Sequence, residues 1–418
     1  MKKSFREKSF RKKSFAAVTA MVMAAVMLAG CGSQKTMGGN AKGEDTAGED
    51  TAGEGMTWST QSEENAFRIG GIGPVTGAAA VYGLAVKNAA QLAVDEINEA
   101  GGVNGASIVF NFQDDEHDAE KAVNAYNTLK DWDMQLLLGA VTSTPCIAVA
   151  EKSQEDNLFQ LTPSGSAVEC IQYDNAFRVC FSDPNQGSAS AQYIGEKKLA
   201  SRIAVIYNSS DVYSSGIYQN FASQAEQYGL EIVAAEAFTA DSSTDFSVQL
   251  QKAKDAGAEL VFLPVYYTEV SIILSQADKM DYHPTFFGCD GLDGLLAVED
   301  FDKSLAEGVM LLTPFAADAE DERTRNFVTK YQAAYGEIPN QFAADAYDGI
   351  YAMKAALERA GATPDMSASQ LCEAMKAAMT GITIDGLTGE GMTWNADGEP
   401  NKAPKAVRIT DGVYTAME

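Results

Sequence analysis

The sequence contains little histidine and little cysteine for its 418 residues. His117 and His283 are its two histidines, and neither lies in a recognisable metal-binding or nucleophile motif. Beyond Cys31, the remaining cysteines show no CxxC spacing. Zinc sites usually combine several Cys and His ligands at short spacings, and a Ser-His-Asp triad needs a histidine. We therefore expect no metal site, no cofactor and no catalytic activity.

The sequence also lacks the motifs of nucleotide-binding and hydrolase sites. No GxxxxGK[ST] loop and no GxSxG motif occurs. The segment GGIGPVTG at 70–77 is a poor dinucleotide fingerprint, because its spacing is GxGxxxG and Pro74 follows the second of these glycines. With 31 Lys+Arg against 58 Asp+Glu, the formal net charge is -27. Such acidity argues against nucleic-acid binding, which requires a basic face.

Long apolar runs are missing except near the N-terminus. Residues 1–30 have a net charge of +6. Since the whole chain has a net charge of -27, residues 31–418 have a net charge of -33. A basic head is followed by an uncharged, mostly apolar stretch at 15–28, shorter than the roughly 20 residues of a membrane-spanning helix. This pattern predicts a secretory signal peptide at 1–30. The following residues, 31–65, are rich in Gly, Ser, Thr and acidic side chains and repeat GEDTAGEDTAGE, which predicts a flexible acidic tether.

The end of the signal, Leu28-Ala29-Gly30-Cys31, resembles a lipobox. The resemblance implies that Cys31 is acylated and becomes the first residue of the mature protein. Several acyl chains would then hold the chain at the extracellular face of the cell membrane. The alternative is an ordinary signal peptide in which Cys31 is incidental.

After the tether, short β-like runs alternate with helical patterns in two successive series. The first series runs from FRIGGIGP to AFRVCF and the second from SRIAVIYNSS to GVMLLTP. Strands separated by helices predict βαβ units and parallel sheets. A hydrophobic fraction of 46% supplies the cores, and single cores stop growing near about 250–300 residues. We therefore predict an α/β fold of two doubly wound lobes, with ligand chemistry at the carboxyl ends of the strands.

Polar side chains follow several of these predicted strands. Hydroxyl residues occur at 142–144 after QLLLGAV and at 162–166 after NLFQL. Hydroxyls with free N–H groups at a helix start can bind a carboxylate, or they can simply be N-caps. In the second series, Asp290 follows an apolar strand, where a carboxylate needs a cation, and tyrosines occur at 213, 266 and 267. These groups predict a zwitterionic ligand with an apolar side chain.

Residues 67–410 resemble the branched-chain amino-acid group of type I periplasmic-binding-fold proteins, which are the substrate-binding components of ABC importers. The motifs that carry the resemblance include DEINEAGGVNG, FNFQDDEHD, LLGAVTST, LTPSGSA, AVIYNSSDVYSSG, AADAYDGIYAM and GLTGEGMTWNADGEP. The resemblance implies two doubly wound parallel-sheet lobes joined by a three-segment hinge, the Venus-flytrap arrangement. Its crossings near 184, 315 and 386 place lobe one at 66–183 plus 316–385 and lobe two at 184–315 plus 386–418.

The resemblance also implies a ligand site. Ser143 and Ser166 match the family's carboxylate-binding hydroxyls, and Ser164 lies where a backbone carbonyl takes the ammonium group. Asp290 aligns with the acidic residue that neutralises the ammonium, although relatives often carry Glu there. Asp290 and Thr142 alter pocket size or polarity, so the choice among leucine, isoleucine and valine stays open. The aromatic positions of the family cleft match Tyr82, Tyr213, Tyr266 and Phe342.

The cysteine pattern differs from that of the family at one position and allows a local disulfide at another. The disulfide of Gram-negative relatives lacks its first cysteine here, because FQDDEHD has His117 instead. Cys170 and Cys180 flank a predicted turn, IQYDN, and are candidates for a local disulfide in an oxidising extracellular setting. The alternative is that both are buried free thiols.

The resulting hypothesis is capture of an amino acid between two closing lobes and its delivery to an ABC permease with ATPase subunits. The expected partners are thus the amino acid, the transporter and the membrane through the lipid anchor, with no nucleic acid. A sensor of the same fold for amino acids or small amides is the first alternative. A secreted hydrolase is the second, and it is disfavoured because neither histidine belongs to a cleft-forming strand end.

Overall fold

The first sheet has five parallel strands in the order β2-β1-β3-β4-β5. The computed structural model describes residues 65–417, so the signal peptide, Cys31 and nearly all of the tether lie outside the described residues. The strands are β1 (Ala66–Gly73), β2 (Ser107–Asp114), β3 (Leu136–Leu138), β4 (Phe159–Thr162) and β5 (Ala176–Arg178). We call this sheet and the helices packed on it lobe one.

Helices cover both faces of the first sheet. On one face lie α1 (Ala80–Glu99), α9 (Gln341–Ala360) and α10 (Ala368–Met379), and on the other lie α2 (Ala119–Asp131) and α3 (Ser143–Glu155). The three leucines of β3 show the division, since Leu136 and Leu138 join the core under α1 and α9 while Leu137 joins the core under α2 and α3. Such a continuous apolar strand is typical of parallel sheets buried on both faces.

The second sheet has seven strands in the order β12-β11-β10-β9-β8-β6-β7. Parallel pairing runs from β7 to β10, and β11 and β12 add two antiparallel strands at one edge. We call this sheet and its helices lobe two. Its strands are β6 (Arg202–Asn208), β7 (Glu231–Phe238), β8 (Leu260–Leu263), β9 (Thr285–Gly288), β10 (Met310–Thr313), β11 (Lys405–Thr410) and β12 (Val413–Ala416).

Lobe two is also covered on both faces. Helices α4 (Asp183–Glu196) and α5 (Val212–Ala225) lie on one side, and α6 (Ser247–Asp255) and α7 (Tyr267–Lys279) on the other. Helix α8 (Glu322–Tyr335) packs against α1 of lobe one. The two doubly wound α/β lobes predicted from the sequence are therefore confirmed. Within residues 65–417, no helix combines the length and apolar character needed to cross a membrane.

Three chain segments connect the two sheets. They join β5 to α4, β10 to α8, and α10 to β11. In the third segment, the Trp394 indole N–H donates to the carbonyl of Arg178 at 2.7 Å, and the Arg178 N–H donates to the carbonyl of Gly398 at 3.1 Å. The lobe limits stay a prediction, and these contacts with β5 favour a third crossing closer to Lys402 than to residue 386.

Candidate functional site

A small cavity lies where the strand ends of the two lobes meet. Its volume is about 10 Å³, which leaves room for about one water molecule. An amino acid fits only after the lobes separate or the side chains move, so this is a closed conformation. Ten residues line the cavity: Tyr82, Val141, Thr142, Ser143, Ser164 and Phe342 of lobe one, with Tyr213, Tyr266, Asp290 and Gly291 of lobe two.

Seven of the eight sequence-predicted ligand-binding residues lie in this lining. The eighth, Ser166, is buried but is absent from it. Its carbonyl accepts a hydrogen bond from the Asp183 N–H at 2.9 Å and another from the Arg178 guanidinium. Through these bonds Ser166 connects the loop after β4 to β5 and to the start of α4.

The hydroxyl side of the cavity is built by the ends of β3 and β4. Ser143 is the first residue of α3, and its hydroxyl accepts a hydrogen bond from the Ala167 N–H at 3.2 Å. Ser164 follows β4 and donates its hydroxyl hydrogen bond to the carbonyl of Val141 at 2.6 Å. Because the first N–H groups of a helix lack intrahelical partners, the start of α3 beside these hydroxyls suits a carboxylate.

The acidic side of the cavity is Asp290, which directly follows β9 and Cys289. Its carboxylate accepts from the Tyr213 hydroxyl at 2.7 Å, and its backbone N–H donates to the Gln186 side chain at 3.2 Å. Burial raises the pKa of Asp290 to about 7, because the charged form loses its hydration. An ammonium group placed beside it would restore the charged form.

Aromatic rings enclose the rest of the cavity. Tyr213 and Tyr266 of lobe two stack with ring centroids 4.9 Å apart. Tyr82 of lobe one lies edge-on to Tyr266 at 5.7 Å and packs against Phe342 at 4.1 Å. These rings supply an apolar surface with hydroxyl groups at its edge.

Direct hydrogen bonds join the lobes around the cavity. The Tyr82 hydroxyl donates to the Gly291 carbonyl at 2.5 Å. The Gln341 N–H, at the start of α9, donates to the Asp293 carboxylate at 2.7 Å. Both bonds require the lobes to be together, so they belong to the closed conformation.

His117 lies beside the cavity, which sequence reasoning missed. We expected it away from the cleft-forming strand ends. Its Nδ1 is instead 2.8 Å from the Thr142 hydroxyl oxygen, and its ring is edge-on to Tyr266 with centroids 5.4 Å apart. Burial lowers the pKa of His117. The sequence held one signal for this position, because His117 lies two residues after the acidic pair that ends FNFQDD. This pair lies at the end of β2, which neighbours β1 in the sheet, so the loop that carries His117 starts at the same sheet edge as the other strand ends.

The five cysteines of the described residues are all buried, and no disulfide joins them within 65–417. The Cys170 side chain interacts with Cys146, at the start of α3, rather than with Cys180. Nothing in the structure supports the Cys170–Cys180 pairing, which stays a prediction. Within residues 65–417 no group of three or more potential ligand side chains is arranged to hold a metal ion.

Comparison with known proteins gives a consistent result. Residues 66–413 match a family described as periplasmic binding protein. A Leu/Ile/Val-binding protein of Rhizobium johnstonii is 28% identical over 72% of this chain and 81% of its own length. A leucine-, isoleucine-, valine-, threonine- and alanine-binding protein of Pseudomonas aeruginosa is 27% identical over 73% of this chain and 80% of its own.

A solved structure shares the fold over nearly its whole length. It is the branched-chain amino acid transporter substrate-binding protein of Streptococcus pneumoniae in complex with isoleucine. It is 27% identical, covers 84% of this chain and 98% of its own, and superposes with a TM-score of 0.75. The relatives named here are binding proteins.

Proposed function

Because the chain belongs to the periplasmic binding protein family, we propose that it is the extracellular substrate-binding component of an ABC importer for an amino acid. The observation that carries this proposal is the composition of the cavity. It has hydroxyls and a helix start on lobe one, a buried carboxylate on lobe two, and aromatic rings between them. These three surfaces are complementary to the carboxylate, the ammonium and the side chain of a free amino acid.

The ligand would bind first to lobe one. Ser143 and the start of α3 hold the carboxylate, Ser166 supports the loop behind them, and the Ser164 carbonyl accepts from the ammonium group. Closure then brings Asp290, Tyr213 and Tyr266 over the ligand. Since the ligand contacts both lobes only in the closed form, its differential affinity shifts the population toward that form, which the permease and its ATPase subunits recognise.

The ligand class is a branched-chain or other small apolar amino acid. The names of the Rhizobium and Pseudomonas relatives and the isoleucine complex support this class. Asp290 is one methylene shorter than glutamate, so the ammonium would sit closer to lobe two than in relatives that have Glu. Acylation of Cys31 would keep the protein at the extracellular face of the membrane, within reach of the permease.

Removing the Asp290 carboxylate tests the proposal. Isothermal titration of the purified mature protein against the twenty amino acids identifies the preferred ligand. Asp290→Ala then leaves the bound ammonium buried and unpaired, so we expect affinity to fall by about 2–5 kcal/mol, or at least about 30-fold. Asp278→Ala, the same change at an exposed position on α7, should stay within about twofold. A change below twofold for Asp290→Ala, or no binding of any amino acid to the wild type, would refute the assignment.

A further inference from the structure

One wall of the cavity carries a polar pair that an aliphatic ligand does not need. Thr142 lines the cavity and is the N-cap of α3, yet its side chain makes no cap hydrogen bond to the helix. Its hydroxyl oxygen is instead 2.8 Å from Nδ1 of His117. An N-cap threonine ordinarily uses its hydroxyl to accept from the first turn, so the hydroxyl of Thr142 is held by another element.

His117 is itself fixed from two sides. Its backbone N–H donates to the Asp115 carboxylate at 2.9 Å, and its backbone adopts a left-handed conformation with φ of 60°. Its ring lies edge-on to Tyr266, across the cleft from lobe one. The histidine is therefore held both by its own loop and by the closed partner lobe.

The hydroxyl of Thr142, a residue that lines the cavity, has hydrogen-bonding capacity that His117 does not use. A threonine hydroxyl has one donor and two acceptor sites, whereas Nδ1 of a neutral histidine is either a donor or an acceptor. If Thr142 donates to His117, its oxygen can still accept. If Thr142 accepts, its proton can still be donated. In either tautomer the hydroxyl keeps a hydrogen-bonding site that His117 does not use and that an aliphatic side chain could not fill.

We propose that Thr142, positioned by His117, is a specificity-determining residue that selects an amino acid with a short hydroxyl-bearing side chain over its aliphatic isostere. The inference rests on the proposed amino-acid binding function and departs from its apolar ligand class, since it assigns a short side chain that carries a hydroxyl. Thr142 contacts the ligand and His117 is a positioning residue. A site built to hydrogen-bond a substrate group discriminates strongly against an analogue that lacks it.

Threonine and valine provide the test, because they have nearly the same shape and differ in one hydroxyl. Isothermal titration of the wild-type mature protein with each should show threonine binding at least about tenfold more tightly. Thr142→Val keeps the shape of the wall and removes the hydroxyl, so the threonine-to-valine ratio should fall to within about twofold of unity. Thr142→Ser keeps the hydroxyl and should preserve the preference.

His117→Gly tests the positioning role. Glycine tolerates the left-handed backbone and has no side chain to hold Thr142, so the preference should fall while valine affinity stays within about threefold. His117→Asn is the conservative control, because an asparagine amide atom takes the position of Nδ1 and asparagine also tolerates this backbone, so the preference should be kept. A purely structural role for His117 would weaken both ligands equally and leave the ratio intact.

The outcomes separate this inference from the proposed function. Equal binding of the two ligands, a preference for valine, binding of other amino acids but neither of these, or an unchanged ratio in Thr142→Val would overturn the inference alone. No binding of any amino acid would overturn the proposed function as well. Should Thr142→Val fail to fold, the wild-type ratio and Thr142→Ser still decide.

Discussion

Arg178 is a buried cation whose hydrogen bonds hold the loop behind the site. Its side chain is fully buried at the end of β5. The guanidinium donates to the carbonyls of Gly165, Ser166 and Ala167, and its Nε lies 3.4 Å from a Glu399 carboxylate oxygen. The loop after β4, which carries two of the predicted ligand hydroxyls, is thus held from behind by one residue.

Replacing this residue should destabilise the protein strongly. Arg178→Met leaves three carbonyls and Glu399 without their cationic partner, so we expect the free energy of unfolding to fall by about 3–5 kcal/mol. Urea denaturation followed by circular dichroism measures it. Glu399→Gln is the matched control and should lose under about 1 kcal/mol, since the Glu399 side chain is 31% exposed. A loss below 1 kcal/mol for Arg178→Met would contradict the role given to it.

The residues of the site differ in how well the sequence predicts them. Asp290 and Ser143 follow apolar strands directly, so strand-end reasoning finds them. Tyr82 and Phe342 lie within helices and came from the family resemblance. His117 and Arg178 escaped both routes, because their roles depend on contacts between loops that periodicity does not describe.

Helix α3 begins before its proline. Because proline favours the first position of a helix, the sequence predicts a start near Pro145, whereas α3 begins at Ser143 with Thr142 as N-cap. Proline is tolerated there because the N–H groups of the first turn have no intrahelical partner. The antiparallel pairing of β11 with β10 was not predictable, since it depends on where the third crossing returns to the second sheet.

Helix α9 presents two carboxylates to the third crossing segment. Asp345 and Asp348, one turn apart, are both buried. The Lys402 ammonium lies 2.7 Å from the Asp345 carboxylate and also donates a hydrogen bond to the Thr388 hydroxyl. The backbone N–H groups of Leu387 and Thr388 donate to the Asp348 carboxylate. Even beside Lys402, burial raises the pKa of Asp345 to about 6. The segment is therefore tied to α9 by a buried ionic network.

This network predicts a non-additive pair of substitutions. Lys402→Met should destabilise the protein by about 3–5 kcal/mol, because it leaves Asp345 buried without its cation. Lys402→Met combined with Asp345→Asn should recover part of that loss, since the uncompensated charge is then removed. Urea unfolding of both single variants and the double variant completes the cycle. Strict additivity would mean that the two residues do not interact.

At the scale of the whole molecule, the acidity of the chain has two components. Most acidic residues within 65–417 are exposed or partly exposed groups that favour solubility. A smaller set is buried or half-buried around the closed cleft, and the loss of hydration raises their pKa values to about 7 for Asp290, Asp293 and Glu269 and to about 6 for Asp211. Composition alone could not reveal this second set, because it depends on which strand ends meet when the lobes close.

These buried carboxyls predict how stability changes with pH. Their folded-state pKa values lie above those of the unfolded chain, near 4, so between about pH 4 and 7 the folded protein binds more protons than the unfolded chain. Their contribution is therefore fully present below about pH 4 and is lost as pH rises through 7. His117, whose pKa is lowered, acts in the opposite direction, but the carboxyls with raised pKa values outnumber it.

We therefore expect the ligand-free mature protein to lose at least about 2 kcal/mol of stability between pH 5 and 7.5, measured by urea unfolding at each pH. Asp293→Asn should flatten this dependence, because the amide stays neutral throughout the range. Saturating ligand should flatten it too, since an ammonium beside Asp290 stabilises its charged form and lowers its pKa. Stability that stays level or rises over this range in the ligand-free protein would show that these carboxyls are hydrated, and hence that the lobes stand open without ligand.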